Sequence, residues 1–281
     1  MSEHRPALEH IQAYADHLRL EEKSAATVEK YLRDVRAFAR WLEGREITKE
    51  RTAAWKTHLV ERGYAPASVN AMLSALNSLL DFLGFGDCRV KFLKVQRRMF
   101  RDDSRDLTRS DYNALTAAAK AQNKTRLALL MEAICATGIR VSEVQYITVE
   151  AARAGRAEVA LKGKIRTILI PSKLCRKLLK YAKQQKTASG EIFLTRNGTP
   201  LSRRQIWAEM KGLCKTAGVA ASKVFPHNLR HLFAAAFYRA SRDIVKLADV
   251  LGHSSLETTR IYLLTSGAEH IRTLDRLRLV C

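Results

Sequence analysis

Four separated segments of the chain carry cations, imidazoles or a phenol where they could act together on a phosphate. In the first, Gly138 breaks a helix and Arg140 follows, so backbone N–H groups and a guanidinium would point at the same anion. Glu143, three residues further, lies on the same helix face and could hold Arg140 in position. Taken alone, a surface arginine with a capping glutamate is the simpler interpretation.

The second segment, residues 226–231, begins with Pro226, which suits the first turn of a helix. His227, Arg230 and His231 then fall on one face of that helix. This stripe would crowd positive charge if all three groups were protonated, an arrangement that makes sense opposite an anion. A solvated face is the alternative, but it leaves the apolar residues that border the stripe unexplained.

The third segment ends at Tyr262. Gly252 predicts the end of one helix, and Ser254 with Glu257 has the spacing of a capping box that starts the next. The pattern therefore places His253 at the junction and Tyr262 two turns into the new helix. A single tyrosine on a helix usually belongs to a core or an interface, so only the other segments give Tyr262 a chemical role.

The fourth segment is a predicted β-hairpin over residues 158–170, with Gly163 near its turn. Lys162 and Lys164 flank that glycine. A lysine at a β-turn is normally exposed to solvent. It can also reach into a groove and protonate a leaving oxygen.

Together, the four segments resemble the tyrosine recombinase family, which includes the Xer recombinases and the phage integrases. The resemblance covers most of the chain and rests on the order and spacing of its motifs. These are Ala-Thr-Gly-Ile-Arg-Val-Ser-Glu at 136–143, His-Asn-Leu-Arg-His at 227–231, and Leu-Gly-His at 251–253 with a tyrosine nine residues after the histidine. The stretch 64–76 resembles the core-binding domain of the family.

The resemblance implies a set of catalytic residues and a set of supporting ones. The catalytic residues would be Arg140, Lys162, His227, Arg230, His253 and Tyr262, and the supporting residues would be Glu143, His231 and Lys164. Two features depart from the family pattern. Leu232 stands where a threonine is common, and the hairpin is one residue shorter than usual, which leaves Lys164 as a rival of Lys162.

The implied reaction is a phosphodiester exchange that needs no metal, ATP or other cofactor. Tyr262 would attack the scissile phosphate and form a 3′-phosphotyrosine, which conserves the energy of the broken bond. The two arginines would stabilise charge in the transition state, and Lys162 would protonate the leaving 5′-oxygen. His227 would help to move the tyrosine proton, and His253 would donate a hydrogen bond to the phosphate.

The elements that must position these residues are mainly helical. Apolar periods near 3.6 residues predict about four helices within residues 1–90, where Ser24, Thr48 and Ser68 can start the second, third and fourth, and Thr108 can cap a later one. The hairpin is the one clear β signal. The fold class expected is therefore mainly α with a small β-sheet, and the resemblance implies a helical SAM-like domain followed by an α+β catalytic domain.

Shifts in composition predict the domain boundaries. We expect a core-binding domain over 1–90, a basic linker over 91–106 and a catalytic domain over 107–281 whose tail forms a short helix over 268–280. An apolar stripe on so short a helix needs a surface on which to dock, either its own domain or a neighbouring protomer. The first helix begins at once, so we expect no additional N-terminal arm-site domain.

The net charge of +21 is unevenly distributed along the chain. Residues 1–90 hold 13 Lys and Arg against 13 Asp and Glu, whereas the remainder holds 36 against 15. Such a concentration of positive charge indicates a nucleic-acid partner.

The chain has no run of eighteen apolar residues, and its five scattered cysteines favour a reducing cytosol over a disulfide framework. We therefore expect a cytoplasmic, nucleoid-associated protein without a membrane partner.

The expected function is site-specific recombination of double-stranded DNA, of the integrase, resolvase or invertase type. The family works as a homotetramer on two duplexes and passes through a Holliday junction, and accessory DNA-bending proteins are further candidate partners. A type IB topoisomerase is one alternative, and it would relax DNA without a specific site. A DNA-binding regulator that has lost catalysis is another, and an assay for a covalent protein–DNA complex separates it from an enzyme.

Overall fold

The computed structural model describes residues 8–95, 103–161, 164–262 and 275–277. The chain forms two compact units, residues 1–97 and 98–281. Within the described residues both units are mainly helical, and one two-stranded sheet lies in the second unit. The expected fold class is confirmed. Among these residues, no helix is both long enough and apolar enough to cross a lipid bilayer.

Four α-helices build the described part of the first unit. They are α1 (Leu8–Leu20), α2 (Ala25–Leu42), α3 (Lys49–Glu61) and α4 (Pro66–Phe82). Ser24 and Thr48 cap α2 and α3 as predicted, because each side-chain oxygen accepts a backbone N–H of the first turn. The expectation that Ser68 begins α4 is wrong. The helix begins at Pro66, whose fixed φ and missing N–H suit the first turn.

Apolar faces of α2, α3 and α4 meet in a core around Phe38, Trp55 and Leu76, all nearly inaccessible to solvent, and α1 packs through Tyr14 in a neighbouring cluster on α2 and α4. The chain after α4 returns along that helix and is held there by two asparagines. Asn77 exchanges two hydrogen bonds of 2.9 Å with the backbone of Val90. Asn70 exchanges bonds of 3.0 and 2.8 Å with the backbone of Leu93. Side chains of α4 thus replace the backbone pairing that this extended segment lacks.

The second unit contains nine further α-helices and two strands among its described residues. They are α5 (Arg109–Ala121), α6 (Thr125–Thr137), α7 (Val149–Ala154), β1 (Arg156–Leu161), β2 (Lys164–Leu169), α8 (Ser172–Gln184), α9 (Arg203–Lys211), α10 (Cys214–Ala217), α11 (Pro226–Ser241), α12 (Ile244–Leu251) and α13 (Leu256–Arg260). The strands pair antiparallel, with Val159 opposite Arg166. Lys162 and Gly163 lie outside the described residues.

Helix α6 is the centre of the second unit. Most of its side chains are buried, and it packs against α5, α8 and α11. It ends where predicted, at Gly138, which adopts a left-handed conformation with φ of 65°. Because α6 ends there, the segment that carries Arg140 emerges from the core beside α11.

The chain around Tyr262 differs from the prediction in two respects. Ser255, not Ser254, caps α13 by accepting the N–H of Glu257. The helix then spans five residues only, so Tyr262 lies just after its end instead of two turns within it. The backbone N–H of Tyr262 donates to the carbonyl of Thr259 at 3.0 Å, which tightens the chain into a turn.

The predicted tail helix, residues 268–280, lies outside the described residues except for 275–277.

Candidate active site

Arg230 lies at the centre of the site. It belongs to the second turn of α11, and its side chain is almost inaccessible, with 1% of its surface exposed. Its guanidinium donates to the carbonyls of Gly138 and Leu251, the latter at 2.9 Å. It also contacts the His253 ring at 2.9 Å and donates to the Tyr262 hydroxyl at 3.4 Å. One side chain therefore joins three segments that are distant in sequence.

The close approach of α6 to α11 depends on the absence of a side chain at Gly138. A Cβ atom built there would lie 2.4 Å from the ring of Phe233, nearer than real Cβ contacts occur. The left-handed backbone at Gly138 also disfavours any other residue. Gly138 therefore both ends a helix and lets its carbonyl reach the guanidinium of Arg230.

Arg140 is oriented by Glu143, as the spacing of the two residues predicts. The Glu143 carboxylate, of which 2% is exposed, accepts the backbone N–H of Arg140 at 2.7 Å and its guanidinium at 2.9 Å. The other contact of this carboxylate is the guanidinium of Arg166 in β2. Burial acts to raise the pKa of Glu143, but these three donors outweigh it and lower that pKa below its usual value. The carboxylate is therefore ionised at neutral pH.

Arg166 connects the hairpin to two other segments of the site. Besides Glu143, it donates to the carbonyl of Val250 at 3.0 Å, near the end of α12. Gly252 makes room for this path, because a Cβ there would lie 2.3 Å from the Cδ atom of Arg166. The Nε atom of Arg166 is buried without a hydrogen-bond partner among the described residues. Arg166 was not among the predicted site residues.

His253 is held in one tautomer. Its Nε2 atom lies 2.9 Å from Arg230, and its Nδ1 atom lies 2.8 Å from the hydroxyl of Thr259. A guanidinium has donors only, so Nε2 must accept and the proton must be on Nδ1. Burial, followed by the positive charges of Arg230 and Arg140, lowers the pKa of His253 from 6.5 to about 4. The ring is thus neutral at physiological pH.

Tyr262 is buried, with 6% of its surface exposed, in a small apolar cluster that includes Leu247 and Leu251. Three imidazoles surround its ring. The ring centroid of His231 lies 4.2 Å away, that of His253 lies 5.7 Å away in a stacked arrangement, and that of His227 lies 6.0 Å away. The phenol oxygen therefore has a cationic donor in Arg230, and three imidazoles lie around the ring that carries it.

A cavity of about 380 Å³ opens beside these residues. The side chains of Arg140, Arg166, Arg203 and His253 contribute to its lining, together with the hydroxyl-bearing residues Ser142, Ser254 and Thr258. Three guanidinium groups and several hydroxyls around one space suit a phosphate or another anion. Arg203, the first residue of α9, was not predicted.

The structure thus brings together most of the residues that the motifs indicated. Arg140, Glu143, His227, Arg230, His231, His253 and Tyr262 all lie in or around one site. Lys162 lies outside the described residues, and Lys164 is described only as the backbone that begins β2. Among the residues described, no group of three or more His, Cys, Asp and Glu side chains could hold a metal ion.

Comparison with family models gives two matches along the chain. Residues 105–268 match the model described as the phage integrase family, and residues 11–84 match the N-terminal SAM-like domain of phage integrases. The first match falls in the second compact unit and the second match in the first unit.

Two similar proteins are tyrosine recombinases. The tyrosine recombinase XerA of Thermococcus kodakarensis is 30% identical over 97% of this chain and 95% of its own length. The tyrosine recombinase XerD of Xanthomonas campestris pv. campestris is also 30% identical, over 94% of this chain and 90% of its own length. The similarity therefore extends over nearly the whole of both proteins.

Solved structures show the same fold. A lambda integrase tetramer bound to a Holliday junction superposes with a TM-score of 0.72 and 21% identity, over 90% of this chain and 76% of that chain. A XerA recombinase superposes with a TM-score of 0.53 and 22% identity, over 96% of this chain and 98% of that chain.

Proposed function

The chain belongs to the phage integrase family and is a tyrosine recombinase that cleaves and rejoins DNA, and we propose that Tyr262 is its nucleophile. The observation that carries this assignment is the contact between Arg230 and the Tyr262 hydroxyl. A guanidinium that touches the phenol oxygen would also touch a phosphate attacked by that oxygen. The group that stabilises the transition state would therefore lie beside the attacking atom without further movement of the backbone.

The forward reaction replaces one ester bond by another. The Tyr262 oxygen forms a bond to the scissile phosphorus, and the bond from phosphorus to the 5′-oxygen breaks, so the phosphate stays on the enzyme as a 3′-phosphotyrosine. Arg140 and Arg230 bind the non-bridging oxygens, where charge increases in the transition state. Attack by a free 5′-hydroxyl from another strand reverses these steps and rejoins the DNA.

Two protons must move during cleavage. We propose that the tyrosine proton passes to an imidazole, and both His227 and His231 are candidates because both rings lie close to Tyr262. The leaving 5′-oxygen takes its proton from Lys162, or from Lys164 if the short hairpin shifts the role by two residues. Substituting each lysine by alanine and using a 5′-thio leaving group separates them, because a thiolate leaves without a proton.

His253 requires a rearrangement before it can donate to the phosphate. In the structure its Nε2 atom accepts from Arg230, and its proton is on Nδ1. When Arg230 turns towards a phosphate, Nε2 no longer has that donor, and the nearby anion favours protonation of the ring. We propose that His253 then donates to the same phosphate.

The proposed substrate is double-stranded DNA that carries a recombination site, bound by a homotetramer on two duplexes. Support comes from the solved lambda integrase tetramer on a Holliday junction, whose fold this chain shares. Accessory DNA-bending proteins are a further proposed partner. We also propose action in the cytoplasm, which agrees with the four unpaired cysteines of the described residues, Cys88, Cys135, Cys175 and Cys214.

The nucleophile is tested by trapping the covalent intermediate. Fragments of host DNA that stay attached to the denatured wild-type protein are sequenced to find the site, which is then made as a nicked suicide duplex. On this duplex the wild type should accumulate adduct, and Tyr262→Phe should form none while retaining its affinity for the site. Tyr238→Phe, a second tyrosine of the same apolar cluster, is the matched control. Adduct in Tyr262→Phe would assign the nucleophile elsewhere.

Metal independence is tested in the same assay. Because arginine and lysine supply the positive charge in this mechanism, adduct should form at an unchanged rate in excess EDTA. Complete loss of adduct in EDTA, with recovery on addition of magnesium, would contradict the proposed mechanism.

A further inference from the structure

One face of α8 carries a row of cations that the active site does not use. Lys173, Arg176, Lys177, Lys180 and Lys183 are all exposed, and we call them the basic ridge. At 3.6 residues per turn they occupy an arc of about 120° on the helix. The opposite face, which includes Leu174, Leu178 and Tyr181, is buried in the core of the second unit.

The basic ridge has few acidic partners. No Asp or Glu occurs between residues 159 and 190. Glu132 of α6 forms an ion pair with Lys177 of the ridge. It also pairs with Lys120, so this group of two lysines and one glutamate keeps a net positive charge. The other four ridge cations form no ion pair with any described residue. Like charges four residues apart on a helix repel one another, so this face is less favourable without an anion.

The basic ridge is separate from the catalytic groups. Helix α8 packs mainly on α6 and α7, whereas α11 packs on α6 and α12. None of the ridge residues lines the cavity beside Arg140 and His253. An anion bound to the ridge would therefore be a different one from the scissile phosphate.

We propose that the basic ridge is a second DNA-binding surface, which holds the phosphate backbone of duplex DNA without reading its sequence. The inference rests on the proposed function only in that it supposes a duplex substrate. From Lys173 to Lys183 the ridge is about 15 Å long at a rise of 1.5 Å per residue. That length is comparable with the width of the major groove, about 12 Å, so the ridge can contact phosphates of both strands. A lipid surface does not fit, because the apolar face of α8 is already buried.

The salt dependence of DNA binding tests this surface. In the full chain, Lys173, Arg176, Lys180 and Lys183 are changed together to Gln, and affinity for a random-sequence duplex of about 40 base pairs is measured between about 50 and 200 mM NaCl. The slope of log affinity against log salt should become less steep by about 0.9 for each phosphate that the variant no longer binds. Adduct formation by Tyr262 on the nicked duplex, at saturating DNA, should be unchanged, which separates this proposal from the nucleophile assignment.

Two controls separate the basic ridge from net charge. Changing Lys173, Lys180 and Lys183 to Arg keeps the charge and should keep the slope. A second control removes the same amount of charge at four exposed positions elsewhere, by changing Lys124, Lys215, Arg239 and Lys246 to Gln. This variant should alter the slope by less than about 1. The proposal is wrong if the ridge variant keeps the wild-type slope, or if the control variant with four Gln substitutions on other elements changes the slope as much. It is also wrong if the ridge variant binds DNA normally and is impaired only in binding to polyglutamate. The last result would indicate an acidic protein partner.

Discussion

Two asparagines of the first unit and two ions of the second unit show different uses of polar side chains inside a fold. In the first unit, Asn77 and Asn70 are neutral, and their hydrogen bonds with Val90 and Leu93 fix the path of the backbone. In the second unit, the buried groups at the site are ions. Arg230 and Glu143 are each at most 2% exposed, and they orient other side chains, among them Tyr262 and Arg140.

This difference separates groups that stabilise a fold from groups that prepare a reaction. A buried amide with all its hydrogen bonds made costs little and needs no partner charge. A buried ion is expensive unless it is paired, and Arg230 and Glu143 are each held by several partners at the site. Substitutions of the buried amides should therefore change stability, and substitutions of the buried ions should change the rate of cleavage.

The largest expected effect is at Arg230. Arg230→Lys keeps a positive charge but cannot contact Leu251, His253 and the reacting phosphate together, so adduct formation should slow by about 10³-fold. Single-turnover cleavage of the nicked duplex measures this rate. Arg239→Lys, on the exposed part of the same helix, should leave it unaltered. If the rate of adduct formation fell by less than about tenfold in Arg230→Lys, the buried guanidinium would contribute to the stability of the fold and not to the transition state.

The next effect concerns positioning. Arg166→Lys should break the bridge between Glu143 and Val250 and displace Arg140, which slows cleavage by about 10²-fold at saturating DNA. Affinity for DNA should fall much less than the rate, because a lysine at 166 keeps the positive charge at the cavity but loses the contacts with Glu143 and Val250 that position Arg140. The control is Arg156→Lys, an exposed arginine of the neighbouring strand. Equal decreases in affinity and rate would show that Arg166 binds DNA directly instead.

In the first unit, Asn77→Ala should lower the free energy of unfolding by about 2–3 kcal/mol, because it leaves the N–H and carbonyl of Val90 without partners. Asn70→Ala, at a less buried position, should cost about 1 kcal/mol. Urea unfolding measures both. The rate of adduct formation per folded molecule should equal that of the wild type. A slower rate would show that these asparagines also affect cleavage, and not stability alone.

The smallest effect is a pH dependence of stability that arises from His253. Its pKa of about 4 in the folded protein is below the ordinary 6.5, so between these values the unfolded chain binds more protons. Its contribution to stability is therefore complete above pH 6.5 and decreases as pH falls towards 4, by about 1–2 kcal/mol after allowance for solvent access. The difference in unfolding free energy between about pH 7 and pH 4.5 should shrink in His253→Gln. An unchanged difference would contradict a neutral, half-buried imidazole at 253.

Local signals were the part of this fold that sequence could predict. Caps such as Ser24, Thr48 and Thr108 depend on a hydroxyl and an N–H three residues away, and the structure shows all three. The boundary near Tyr262 was predicted wrongly because two adjacent serines offer the same capping pattern. Arg166 was missed because its partners, Glu143 and Val250, are 23 and 84 residues away in the chain. The hydrophobic periods of helices and strands predict contacts between residues a few positions apart, and so they cannot predict contacts between residues this far apart in the chain.

The path of Arg166 past Gly252 makes the evolution of these two positions interdependent. Any side chain at 252 would occupy the space of the Arg166 stem, so Gly252→Ala alone should impair the protein. A shorter residue at 166 would empty that space, but it would also release Glu143. Substitutions at the two sites are therefore epistatic, and viable variants at 252 should be found only in backgrounds where position 166 and its carboxylate partner have already changed.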